Sequence, residues 1–445
     1  MADIEGLREF AISAAKAAIA AVEPAVCIPR AVRVDRDRLL VGAERIDLSS
    51  VDRVLVVGMG KASAAMAASL EAILGDRISG GLVVTADGYA VSTQRIEIQE
   101  AAHPVPDERG LAAAEDVAHI VQDAGPHDLV IVLVSGGGSA LLPLPVSGLT
   151  LEDLAETNDL LLRAAVPIQE INAIRKHLSA LKGGRLAALA HPARVISLIL
   201  SDVPEDRLDA IASGPTAPDP TTYRDAARIA KRAGIWDALP STVRAITLRG
   251  LQGELEETLK PDDARLAQVS NVLVGSGRVA AEAARAFALE QGYRSAVLAS
   301  AVQGEAGLVG PVLASIAHEV LGHGLPIPPP ALLVAAGETT VIVKGDGRGG
   351  RSQEVALSAA AGIDGLEGVV VCAVGTDGRD GPTDAAGGIV DGGSAGRVRA
   401  AGLHIADVLA DNASYDALLA AGDLVITGPT RTNVADLLLV AVAEG

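Results

Sequence analysis

A chain of 445 residues with 49% hydrophobic and 21% charged residues is long enough for two or three packed domains and too apolar to be a disordered polymer. Its formal net charge of −19 opposes a polyanionic partner, so nucleic acid is not expected. No apolar run reaches membrane-spanning length and the N-terminus lacks the basic start of a signal peptide, so the expectation is a cytoplasmic chain with no membrane partner.

Residues 3–23 read as an amphipathic helix, with Ile4, Leu7, Phe10 and Ala14 on one stripe and Pro24 beyond its end. Continuous β-branched and Leu runs follow at 53–57, 81–85, 129–134 and 194–200, as in strands buried on both faces. Helical patterns lie between them near 62–74, 108–122, 151–165, 168–181 and 224–233, the last closed by Gly234. This alternation predicts an α/β fold with a Rossmann-like parallel sheet flanked by helices. Aromatics make up only 2%, so the core must be aliphatic, which suits that architecture. The polar, acidic stretch 249–268 reads as a boundary, giving an N-terminal domain 1–248 and a C-terminal domain 249–445. Beyond it, strand patterns at 271–275, 295–300, 331–335, 340–343, 369–374 and near 434–442 alternate with helical ones at 278–291 and 305–322. The second domain is therefore also expected to be α/β. Cys27 and Cys372 sit among apolar neighbours and read as small core residues, not as a disulfide or a zinc site.

Four loops of the first half can carry chemistry. Gly58-Met59-Gly60-Lys61-Ala62-Ser63 follows the strand at 53–57 and opens a helix. As a dinucleotide fingerprint it is weak, because Ser63 takes the third glycine position and Ala86-Asp87-Gly88 supplies a poor ribose acid. What it does offer is Lys61 at a helix start, placed to neutralise a transferring phosphoryl group. Ser135-Gly136-Gly137-Gly138-Ser139 follows the most apolar strand. Three glycines in a row there need a reason, and an anion-binding nest of backbone N–H groups for phosphates is the best one. Arg175, Lys176 and Lys182 give positive faces for a carboxylate or phosphate, whereas His177 reads as structural. Asp202 ends the strand at 194–200, where it can ligate Mg²⁺ or accept a proton. In the second half, Gly337–Thr340 joins two strand patterns, 345–353 sets Arg348 and Arg351 among glycines, and 375–388 holds Asp377, Asp380 and Asp384 without calcium-loop spacing. Anion-binding loops, cations and strand-end carboxylates together are what phosphoryl transfer demands.

These segments resemble the glycerate 2-kinase family of the GCK/MOFRL type. The resemblance rests on VVGMGKAS at 56–63, AAHPVPDERG at 101–110, VSGGGSALL at 134–142, INAIRKHLSALKGGRLA at 171–187 and SDVPEDRLDAIASGPTAPD at 201–219. It continues with AGETTVIVKGDGRGGRSQEVAL at 336–357, GTDGRDGPTDAAGG at 375–388 and GDLVITGPTRTNVADL at 422–437, so the matched segments span nearly the whole chain in order. Ser352 stands where Asn is expected, and Thr430-Arg431-Thr432 where Thr-Gly-Thr is commoner.

The resemblance implies ATP- and Mg²⁺-dependent phosphorylation of D-glycerate at the C2 hydroxyl, giving 2-phosphoglycerate. It implies a kinase-type N-terminal domain, a MOFRL segment at about 331–440, and an active site in the cleft between domains. Lys61 and Arg351 are the catalytic cations it implies. On this reading Ser135, Gly136, Gly137, Gly138 and Ser139 cradle the ATP phosphates, and Arg175 or Lys182 holds the glycerate carboxylate. Asp202 and Asp377 are the metal-side candidates, with Asp202 also the alternative general base. Two other functions compete with the kinase. One is an NAD(P)H-dependent hydroxypyruvate reductase, a label some family members carry. The other is a non-catalytic sensor of phosphorylated metabolites. Whether the chain is a homo-oligomer stays open.

Overall fold

The computed structural model describes residues 3–444. The chain divides into two compact units, one of Cys27–Leu200 and Arg207–Val274, the other of Met1–Val26, Ser201–Asp206 and Gly275–Gly445.

The first unit opens with a short antiparallel meander, β1 (Val32–Asp35), β2 (Arg38–Val41) and β3 (Glu44–Asp47), which the sequence patterns did not reveal. A six-stranded sheet follows, built from β4 (Val54–Met59), β5 (Ile78–Ala86), β6 (Glu97–Ala101), β7 (Leu129–Val134), β8 (Arg194–Leu200) and β9 (Val269–Gly275). Its order is β6-β5-β4-β7-β8-β9, and the pairs from β6 through β8 are parallel. Every residue of β4 and β7 is buried, as their unbroken apolar sequences predict. Helices Ser63–Leu74 and Glu108–Gln122 connect strands, the second capped by Asp107, whose side chain accepts from the Gly110 N–H. A separate helical layer contains Leu151–Arg163, Ile168–His177, Tyr223–Arg232 and Ser241–Leu251. Leu161, Ile174, Tyr223 and Ile246 lie in its core, and capping boxes at Thr150/Asp153 and Thr222/Asp225 fix two of its helix starts.

The second unit holds β10 (Arg294–Val302), β11 (Ala331–Gly337), β12 (Val369–Gly375), β13 (Gly387–Asp391), β14 (Leu424–Val425) and β15 (Asp436–Val442), in the order β10-β11-β15-β12-β13-β14. Only β10 and β11 are parallel, and every other pair is antiparallel. The last strand of the chain thus inserts at the centre of its sheet, between β11 and β12. Helices Ala306–His323 and Arg351–Gly362 share an aliphatic core with these strands.

Three expectations differ from the structure. The first compact unit runs on past residue 248 to Val274, because the strand pattern at 271–275 is β9, the edge of the first sheet. The N-terminal helix Ile4–Ala21 belongs to the second unit, not to the domain that follows it in sequence. Arg8 explains this by pairing with Asp391 and, at 3.0 Å, with Asp423, while Phe10 stacks on Tyr293 at a ring separation of 3.8 Å. Finally, the apolar pattern at 340–343 is not a strand: Ile342 and Val343 are exposed, and only Thr340 forms an isolated bridge, with Glu305. Among the described residues no single helix is long and apolar enough to cross a membrane.

Candidate active site

β4 and β7 are neighbours, yet the chain leaves β4 toward β5 and β6 and returns through β7 to β8. That reversal is the place where open α/β sheets bind ligands, beyond the carboxyl ends of the strands. Both glycine loops of the first half emerge there and are laced together. Ser135 N–H donates to the Met59 carbonyl at 3.0 Å and Lys61 N–H to the Gly136 carbonyl at 2.9 Å. Ala62 N–H donates to Ser135 Oγ at 3.0 Å. Ser63, in the third glycine position, is buried with its hydroxyl 2.5 Å from the Gly60 carbonyl oxygen.

Glycine is required at two of these positions. Gly60 has φ +126°, and a Cβ there would overlap the Ser135 carbonyl and hydroxyl. Gly137 has φ +85°, and a Cβ there would meet the His103 ring at 3.0 Å and the Lys61 stem at 3.6 Å. The bare Gly137 backbone is therefore the floor on which His103 and Lys61 converge. The amides of Gly136 and Gly137 make no hydrogen bond among the described residues, which suits a nest for anions.

Beside this loop lies a cavity of about 450 Å³, built entirely from the first unit. His103, Gly137 and Ser139 line it, as do Asn158, Arg175 and Lys182, while Leu154, Leu161 and Leu162 give it an apolar wall. Helix Ile168–His177 presents Arg175, whose Nε donates to Asn158 Oδ1 at 3.0 Å. Lys182 follows that helix, is only 6% exposed, and has no side-chain hydrogen bond among the described residues. Burial, together with the Arg175 charge, pushes its ammonium down to about 7. Burial and the Lys61 charge likewise push the His103 imidazole down to about 4. The neighbouring residues do other work. Lys176 pairs with Asp209 and Asp219 at 3.1 and 3.3 Å, and His177 is held by the Ala173 carbonyl and Glu257. Ser139 Oγ lies 2.7 Å from Ser213 Oγ, a hydroxyl and not a base, so nothing activates it as a nucleophile.

Lys61, the Ser135–Ser139 loop, Arg175 and Lys182 are thus brought together in one unit. Arg351, Asp202 and Asp377 lie in the other. Arg351 opens helix Arg351–Gly362 and grips Asp436 with Nε and Nη2 at 2.6 and 3.0 Å, while Nη1 donates to Glu338 at 2.7 Å. Those two carboxylates hold its guanidinium charged despite burial. Asp380 is buried at the start of the same helix, accepts from the Ser352 and Gln353 amides, and is pushed up by burial to about 6. Asp377 accepts from the Arg379 amide at 3.1 Å, and Asp202 accepts from Asn433 at 3.2 Å. Among the described residues no three His, Cys, Asp or Glu side chains form a metal-binding group.

Sequence reasoning missed His103. It lies within AAHPVPDERG, one of the segments that carry the resemblance, and just after a strand of the parallel sheet, but no role was read for it there.

Residues 10–248 match the model of a domain of unknown function, DUF4147, and residues 331–436 match that of the MOFRL family. The glycerate 2-kinase of Pyrococcus horikoshii is 43% identical over 439 residues, with 98% of each chain covered. The crystal structure of glycerate kinase from Thermotoga maritima, 40% identical, superposes with a TM-score of 0.86 and covers 99% of this chain and 100% of that one. This chain belongs to the glycerate 2-kinase family. A relative from Agrobacterium vitis, 46% identical over 396 residues (88% of this chain, 87% of that one), is named provisionally as a hydroxypyruvate reductase. Against the family frame, the matched region 10–248 ends before β9, so the sheet it contributes is completed by residues outside the match.

Proposed function

We propose that this chain is a kinase that phosphorylates D-glycerate at the C2 hydroxyl with Mg-ATP, giving 2-phosphoglycerate and ADP. The observation that carries the reading is the cavity at the switch between β4 and β7. His103, Gly137 and Ser139 line it together with Arg175 and Lys182, and the Lys61 stem lies beside Gly137. An acceptor carboxylate in this cavity would meet the Arg175 and Lys182 cations, next to the loop proposed to cradle the phosphates. The fit to a nucleotide triphosphate rests on the cradle at Gly137, which any Cβ would fill, and on its amides, which lack protein partners. Mg²⁺ is commonly held by one or two carboxylates plus substrate phosphates, and Asp202 and Asp377 are the residues proposed to hold it. When bound, the ion would neutralise phosphate charge. Lys61 and Arg351 are the proposed cations on the transferring group, each able to contribute about 10²–10³ in turnover.

The reductase name on the Agrobacterium relative motivates the competing reading. An NAD(P) site would need an acid after β5 for the ribose. Asp87 stands there, but it is held by Arg109 through two hydrogen bonds at 2.8 and 2.9 Å. A coupled assay with D-glycerate and Mg-ATP, run beside NADH with hydroxypyruvate, decides between them. We expect product in the ATP arm, and turnover only in the NADH arm would sink the kinase.

A further inference from the structure

We propose that His103 is the general base that takes the proton from the acceptor hydroxyl. The inference rests on the kinase reading above and names the residue that reading leaves unassigned.

The case is geometric first. The His103 ring packs against the bare Gly137 backbone, beside the Lys61 stem, at the edge of the cavity. A hydroxyl attacking a phosphoryl group cradled by that loop has to reach this side. Neither ring nitrogen is hydrogen-bonded among the described residues, so one carries a lone pair that faces no protein donor. Most other polar groups of the cavity have partners. Arg175 is charged and bonded to Asn158, Ser139 is bonded to Ser213, and Asp159 is held by Arg163. Lys182 faces Arg175, where a bound carboxylate would hold it protonated. Asp202, the alternative base named from the sequence, is not among the residues that line this cavity and belongs to the other unit.

The electrostatics then fit the task. Burial and, second to it, the Lys61 charge keep the imidazole neutral at pH 7. Phosphate charge bound beside Lys61 would offset the lysine's charge and so favour protonation of the imidazole. The step balances. The C2 oxygen forms its bond to the γ-phosphorus as the bond to the β-bridging oxygen breaks. The hydroxyl proton passes to the imidazole lone pair, and the imidazolium later releases it to solvent, so one proton accompanies each ADP formed.

The test compares wild type with H103N and H103Q in the ATP-coupled assay across pH 5–9. We expect kcat to fall about 10²–10⁴-fold, with KM for D-glycerate within about threefold, the range assigned to a positioned base. The acid limb of the kcat profile should vanish, and added imidazole should partly restore H103A. Turnover of H103N within about fivefold of wild type overturns the proposal, as does a loss confined to KM. An acid limb that survives in H103Q but disappears in K182M assigns the base to Lys182 and also overturns it. Should these variants fold poorly, the wild-type chain still decides. The His103 ring proton, followed by NMR titration, should show its pKa rising by at least one unit on adding Mg-AMPPNP, and no change overturns the proposal. A wild-type chain that turns over no D-glycerate overturns the kinase reading itself, whereas an active wild type beside an active H103N overturns only the role of His103.

Discussion

Lys182 is buried beside a second cation, and that costs the folded chain whenever the ammonium is charged. Its pKa is lowered on folding to about 7 from an ordinary value of 10.5. A lowered value means that the folded state binds fewer protons than the unfolded state between those two pH values. The stability penalty is therefore complete below pH 7 and shrinks steadily as pH rises toward 10.5. Replacing the lysine by methionine should raise the melting temperature more at pH 6 than at pH 9, while weakening D-glycerate binding at both. In the wild type, KM for D-glycerate should be flat below pH 7 and climb up to about tenfold per pH unit above it, as the charge that meets the carboxylate is lost. Lys182→Arg keeps its charge throughout this range, so its KM should stay flat. A Lys182→Met variant whose KM for D-glycerate matches wild type at pH 6 would show that Lys182 does not hold the carboxylate. The sequence named this lysine, with Arg175, as the candidate to hold the carboxylate, but showed nothing of its burial. Which of Arg175, Lys176, His177 and Lys182 faces a cavity depends on helix rotation and on distant partners such as Asp219 and Glu257, which no local pattern encodes.

Strands and their loops were far more legible than the partners of single side chains. The runs at 129–134 and 194–200 match β7 and β8 residue for residue, because strands buried on both faces must be apolar throughout. The glycines at 60 and 137 were legible for a similar reason: only glycine fits at positive φ where the Ser135 backbone, or the His103 ring, comes this close. Strand direction in the second unit was not legible, since β15 enters the middle of its sheet from the end of the chain. That insertion changes the meaning of Arg351. Flanked by glycines it read as a cation presented to phosphate, but its fork closes on Asp436 in β15 and on Glu338 at the end of β11. Arg351→Ala would leave the Asp436 carboxylate buried without its partner. We expect a loss of about 2–4 kcal/mol in urea unfolding, below the full value for a buried pair because the arginine is partly exposed. Arg351→Ala,Asp436→Asn should recover much of that stability while staying inactive if Arg351 acts on the phosphoryl group. A double variant that recovers activity along with stability would make Arg351 a structural residue.

At the scale of the whole molecule, each unit is assembled from separate stretches of chain, so no single cut yields both. The composition shift at 249–268 looks like a linker but behaves as part of the first unit. Leu259 N–H donates to the Gly183 carbonyl at 3.0 Å and its carbonyl accepts from Asp219 N–H at 2.7 Å. Glu257 accepts from the Tyr223 amide at 3.0 Å, Thr258 donates to Asp219 at 2.9 Å, and β9 then covers the open edge of β8. A fragment ending at 248 loses all of these and leaves β8 as an unpaired edge, the kind of surface that templates aggregation. It also carries the helix Ile4–Ala21 with Leu7, Ala11, Ala14 and Ala18 stripped of the strands and helix that bury them. A fragment of 27–274 keeps the stitching segment and omits the helix. We therefore expect 27–274 to stay soluble and melt in one cooperative transition by circular dichroism, and 1–248 to bind ANS and aggregate. Should 1–248 melt as sharply as 27–274, within a few degrees, the segment 249–274 would be a dispensable linker after all, and the boundary read from composition would be the physical one.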